Sequence, residues 1–185
     1  MEKEMFSRPA RLGAFITGKS EEAVIHLFTE KRILVRLEAP FREVADARES
    51  FLFAVNQCFR FCSKISVCVE GGSDALVGAC DSLAVQVHGP GATVETVNKV
   101  TGCVFDAIVN VGTEVLSDLP SATVNSSAWV ARLATTGSGN PKLYWKPETP
   151  NPLGALAATC MGVGSAFWGL CFGLLVLAGE RVLRR

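Results

Sequence analysis

The sequence predicts a layered α/β fold with a largely parallel sheet. Three observations carry this. Residues 65–69 (Ile-Ser-Val-Cys-Val) and 104–111 (Val-Phe-Asp-Ala-Ile-Val-Asn-Val) are near-continuous apolar runs, the pattern of parallel strands covered on both faces. Residues 43–62 form an amphipathic helix pattern of the kind that packs on a sheet. Helical and strand patterns alternate along the chain, as they do in α/β proteins.

Taken in order, residues 1–20 are polar with Pro9 and Gly13 and read as extended or loose. Residues 23–28 and 33–37 are short apolar runs, the second fitting a strand, with a turn at Thr29-Glu30-Lys31-Arg32 between them. Ala39-Pro40 ends the second run. In the 43–62 helix, Val44, Ala47, Phe51, Ala54, Val55, Cys58 and Cys62 recur at three- and four-residue spacing. Asp46, Glu49, Gln57 and Arg60 mark the opposite face. After strand 65–69 comes a turn, Glu70-Gly71-Gly72-Ser73, and Ser73 or Asp74 can cap a helix over 74–86. Gly89-Pro90-Gly91 breaks the chain. Strand 104–111 ends at Gly112, residues 122–133 are strand-like, and 135–150 read as an exposed loop rich in Thr, Gly, Ser and Pro.

The 185 residues, 49% of them hydrophobic, suit one domain with a sizeable core. That composition excludes a disordered or collagen-like chain. The balance of 18 basic and 18 acidic residues argues against a general nucleic-acid binder. Half of all the charge lies in residues 1–50, and residues 149–179 carry none. The first twenty residues show no apolar signal core. The seven cysteines are irregularly spaced without a C-x-x-C, so reduced cytoplasmic thiols are expected. Cys58 and Cys62 read as core filler. His26 and His88 are isolated, and no zinc-ligand spacing is present.

Leu153 to Gly179 is uncharged over 27 residues and ends in a basic tail. As one helix it would reach roughly 40 Å, more than a bilayer core. Gly154, Ala158, Gly162 and Ala166 recur every fourth residue, and Gly169 and Gly173 form a GxxxG. Small residues at that spacing serve a membrane span or a helix pressed against a sheet equally well.

Nucleotide and catalytic signatures are missing from the sequence. No G-x-G-x-x-G follows a strand, and no P-loop, nucleophile elbow or H-E-x-x-H occurs. Asp106 stands in an apolar strand pattern with no partner base, which reads as structural. If a degenerate nucleotide site exists, the turns to face it are Gly71, Gly72 and Ser73 after one strand and Gly112 after the other, since α/β sheets bind ligands at their strand ends.

Three stretches together resemble bacterial ThiF-type proteins, which group with the ubiquitin-activating-enzyme-like adenylyltransferases. They are Phe105-Asp106-Ala107-Ile108-Val109-Asn110-Val111-Gly112, then Val124-Asn125-Ser126-Ser127-Ala128-Trp129-Val130-Ala131-Arg132-Leu133, then the stretch opening Asn151-Pro152-Leu153-Gly154 and running to Gly162. Within them Asp106, Gly112, Asn125, Ser126, Trp129, Arg132, Asn151, Pro152 and Gly154 carry the likeness. None is catalytic. The resemblance covers about residues 43–170 and implies a Rossmann-like three-layer fold, specifically the inactive pseudo-adenylation half. Outside it lie an N-terminal extension with short strands over 1–42 and an apolar then basic tail over 171–185, and the apolar run from Trp168 onward departs from the more polar continuation usual in that family. The resemblance also makes 151–168 a core helix. The implied role is non-catalytic support for adenylation of a ubiquitin-like or sulfur-carrier protein. ATP and Mg would belong to a related active half, with no cofactor and no metal for this chain alone. Expected partners are a second copy or that active half, and no nucleic acid. Two rivals stand beside it. One is a stand-alone adenylyltransferase with a degenerate loop. The other is a tail-anchored protein held in the membrane through 153–179.

Overall fold

The computed structural model describes residues 6–100, 105–114, 121–125, 130–134, 142–145, 159, 160, 163 and 164. Two helices open the chain, α1 (Ser7–Thr17) and α2 (Glu21–Glu30). Strand β1 (Arg32–Leu37) leads through a short 3-10 turn at Ala39–Phe41 into α3 (Ala45–Cys58). Then come β2 (Lys64–Val69), α4 (Asp74–His88) and a two-residue β3 (Glu95–Thr96). Strands β4 (Ala107–Val111), β5 (Ser121–Asn125), β6 (Val130–Ala134) and β7 (Lys142–Trp145) complete the sheet.

The sheet order is β3-β2-β1-β4-β5-β6-β7. The first five strands in this order are parallel, and β6 and β7 are antiparallel additions. The chain therefore runs outward from β1 to β3, then returns to the other side of β1 for β4. That reversal beside β1 is the topological switch of a Rossmann-like sheet. The expected α/β Rossmann-like class is what the structure shows.

One face of the sheet carries the main core. Ile33, Val35 and Leu37 of β1 meet Ala47, Phe51, Ala54 and Val55 of α3, with Val67 and Val109 alongside. The N-terminal helices close one end of it, where Phe28 packs edge-on against both Phe6 and Phe61. The opposite face holds a smaller cluster of Leu34, Cys68, Phe105 and Ile108. Strand alternation produces both faces from the same apolar runs.

Several sequence expectations are corrected. Residues 7–17 are helical, not loose. Phe6 and Ala10 bury one face of α1, Pro9 sits in the first turn, where its missing N–H has no intrahelical role, and Gly18 at φ 70 ends the helix. The 23–28 run belongs to α2, capped by Ser20, with Val24 and Phe28 buried one turn apart. The helix expected over 43–62 is shorter, because its last residues turn back to enter β2. Within the 135–150 stretch, Lys142–Trp145 is a strand paired to β6; a composition rich in loop residues hid the apolar and aromatic run Leu143-Tyr144-Trp145. The boundary at residue 42 also fails. β1 lies between β2 and β4, so the central strand comes from the segment assigned to an N-terminal extension.

Most of 153–179 lies outside the described residues. Within it, Thr159 and Val163 are buried, and Val163 joins the main core. Among the described residues no helix is long and apolar enough to cross a membrane.

Candidate functional site at the switch point

The switch point is built by register. Arg36 on β1 lies opposite Asn110 on β4, and Asn110 lies opposite Thr123 on β5. Side chains alternate along a strand, so these three project from the same face as Leu34 and Ile108, one level nearer the strand ends. They form a polar row above an apolar layer. The Arg36 Nη1 donates to Asn110 Oδ1 at 3.3 Å, and Asn110 Nδ2 donates to Thr123 Oγ1 at 3.5 Å.

Three carboxylates close over this row from the strand-end turns. Arg36 gives Nε and Nη2 to Glu70 Oε1 at 3.0 and 2.6 Å, and Nη2 also to Glu114 Oε2 at 2.6 Å. Glu38 is buried and accepts from Asn110 Nδ2 and from the Glu114 N–H, both at 2.7 Å. Glu70 Oε2 accepts the Ala39 N–H at 3.3 Å, and the Glu114 carbonyl accepts from Thr123 Oγ1 at 2.6 Å. The turns after β1, β2 and β4 are thus tied into one unit. Burial of the Arg36 guanidinium works against its charge, but its hydrogen bonds to Glu114 and Glu70 outweigh this and raise its pKa.

The local electrostatics follow directly. One guanidinium faces three carboxylates, so the crevice is anionic. In dinucleotide-binding sheets the first βα turn is glycine-rich and lets a phosphate approach a helix N-terminus. Here that turn reads Glu38-Ala39-Pro40-Phe41-Arg42, and the Glu38 carboxylate lies against Gly112. The second arginine of the edge is also engaged. Arg42 Nη1 donates to the carbonyls of Gly71 and Gly72 at 2.8 and 3.3 Å, and its Nε donates to Glu43.

The residues singled out in the sequence are distributed as follows. Gly71 and Gly72 form the β2–α4 turn with φ 81 and 74. Ser73 caps α4, its Oγ accepting the Leu76 N–H at 3.4 Å. These three share the strand-end edge with Gly112, but the end of β1 stands between them. Asp106 lies at the other edge, where it accepts from Lys31 Nζ at 2.7 Å and the Arg32 N–H at 2.9 Å. It pins the entry of β4 to that of β1, the structural reading. Asn125 pairs with Val130, and Arg132 with Thr123, in the β5–β6 ladder. Ser126, Trp129, Asn151, Pro152 and Gly154 lie outside the described residues.

Sequence reasoning missed Arg36, Glu38, Glu114 and Thr123 as a site. The signal was present as Arg36 inside Ile-Leu-Val-Arg-Leu and Asn110 inside Ile-Val-Asn-Val. A polar group in a buried strand requires partners. Among the described residues no group of His, Cys, Asp and Glu is arranged to hold a metal ion. No protein-family model matches the chain, and no curated protein matches it.

Proposed function

We propose that this chain is a non-catalytic, Rossmann-like module of the ThiF type. It supports adenylation of a ubiquitin-like or sulfur-carrier protein by an active half that these 185 residues do not contain. One observation supports this above the others: the Glu38 carboxylate fills the switch-point position where a nucleotide-binding relative admits phosphate. An anion brought there would meet Glu38, Glu70 and Glu114, with the buried Arg36 already paired to two of them. Burying a further charge without a partner is strongly unfavourable. The residues at this edge hold the turns together, and none is arranged as a nucleophile beside a base.

The test is a calorimetric titration of the full chain with ATP and Mg²⁺. No saturable binding is expected up to millimolar nucleotide. Saturable micromolar binding, or ATP–pyrophosphate exchange by the chain alone, overturns the reading. The supporting role is read by adding the chain to a ThiF-type active half from the same organism with its carrier protein. The exchange rate should rise, and an unchanged rate counts against the role.

A further inference from the structure

We propose that the outer face of α1 docks this protein onto an anionic lipid surface. This goes beyond the adenylation reading and does not rest on it. α1 is held with one face inward. Phe6 and Ala10 are fully buried, Gly13 is buried on the same side, and Phe6 packs edge-on against Phe28 of α2 with ring centroids 5.6 Å apart. Opposite that face stand Arg8, Arg11, Leu12 and Phe15, which fall within an arc of about 100° at helical periodicity. All four are exposed, Leu12 by 49% and Phe15 by 88%.

The outer face of a surface helix is ordinarily polar and uncommitted. Here half of it is large and apolar, and the rest is arginine. Side chains three apart are neighbours on a helix, so Leu12 and Phe15 form one patch, unlike the single exposed apolar residues common on any surface. Among the described residues the other large apolar side chains exposed to a similar degree are Val44, before α3, and Val85 on α4. A ring that is 88% exposed projects from the surface and lines no groove.

The charge around the patch selects the occupant. From Phe6 to Ser20 the chain carries Arg8, Arg11 and Lys19 and no acidic residue. The next acids along the chain, Glu21 and Glu22, follow the Ser20 cap of α2. Glu21 meets Arg11 at 3.7 Å, with the two side chains 49% and 73% exposed, a loose pair that solvent weakens. A cationic face with an apolar centre matches the boundary between headgroups and acyl chains of an anionic bilayer. Phenylalanine and leucine enter that boundary, and long arginine side chains beside them reach the phosphates. α1 is already packed on the fold, so no segment has to order itself on binding. A protein partner would need a hollow shaped to the projecting ring, whereas a fluid bilayer needs none. Two apolar side chains and three cations give weak, reversible adsorption and not a permanent anchor.

Flotation of the full chain with vesicles tests this, using phosphatidylcholine alone and phosphatidylcholine mixed with phosphatidylserine. The chain should float with the mixed vesicles and not with phosphatidylcholine alone, and raised salt should release it, since screening weakens the attraction. Phe15→Glu and the double variant Arg8→Glu/Arg11→Glu should each lower the partition coefficient roughly tenfold or more. Phe15→Trp should keep the binding, and its added fluorescence should move to shorter wavelength on the mixed vesicles. These positions are exposed, and unchanged circular dichroism and melting confirm folding of each variant. A chain that ignores the mixed vesicles overturns the proposal and leaves the face to a protein partner. Flotation that Phe15→Glu leaves unchanged also overturns it, because the contact then lies elsewhere, as in 153–179. So does a Phe15→Trp spectrum that does not move, or an equal loss on Val85→Glu, which would reduce the effect to net charge. Nucleotide titration reads the earlier proposal separately.

Discussion

The Glu38 carboxylate lies so close to Gly112 that a Cβ at position 112 would overlap it. Glu38 cannot retreat without losing the Asn110 amide and the Glu114 N–H. Gly112→Ala should therefore destabilise the fold by about 1–3 kcal/mol, the usual range for overpacking. Gly18 offers the contrast, with φ 70 and nothing near its absent Cβ. Gly18→Ala should cost only the backbone term, about 1 kcal/mol. Urea unfolding of both variants checks the difference.

Arg36 is the centre of the polar row, its side chain 7% exposed, whereas Glu114 is 54% exposed. Removing the buried partner leaves Glu70 and Glu114 without their cation, so Arg36→Ala should cost about 2–3 kcal/mol. Glu114→Gln leaves the backbone bonds of residue 114 in place and loses a half-exposed charge, at about 1 kcal/mol or less. Equal costs for the two would show that the row is not anchored on Arg36. Denaturant midpoints decide this.

Asp106 gives a pH dependence with a definite sign. Burial raises its pKa, but the hydrogen bonds from Lys31 and the Arg32 N–H, with the attraction of both cations, outweigh that and lower it. A group with a lowered folded pKa contributes stability above its unfolded pKa and loses it as pH falls through the folded one. The contribution should be intact at neutral pH and disappear below about pH 4. Asp106→Asn should flatten the acid limb of the stability profile and leave a cost of about 1 kcal/mol at pH 7.

The thiols should differ in reactivity. Burial, followed by the nearby Asp81 charge, pushes the Cys80 thiol up to about 12. Burial likewise raises Cys62 to about 11 and Cys58 well above its ordinary value. Cys160 is exposed. Since the thiolate is the reactive form, iodoacetamide at pH 8 should label Cys160 in the native chain before Cys58, Cys62 or Cys80. Peptide mass spectrometry over a time course reads the order.

Much of the fold was legible in the sequence. The β2 run, the amphipathic spacing of α3 and the Ser73 cap of α4 are local patterns, and local patterns survive into the structure. The N-terminal helices were less legible. Their apolar contacts are few, and Phe6, Ala10 and Phe28 acquire meaning only from the sheet end that they cover. β7 was hidden for a similar reason, because its pairing with β6 is a relation between distant segments.

The candidate site divides along the same line. The sequence by itself determined that Arg36 stands in a strand-like run and Asn110 in a buried strand, that no glycine-rich nucleotide loop follows a strand, and that Gly112 ends a strand. Only the tertiary structure decided that β1 lies between β2 and β4, so that residues 36, 110 and 123 align in one row and three carboxylates converge upon it. The physical reason is that apolar periodicity fixes which residues are buried within an element, while the order and register of strands arise from contacts more than seventy residues apart in sequence, as between Arg36 and Asn110. Nothing local to either strand encodes that meeting.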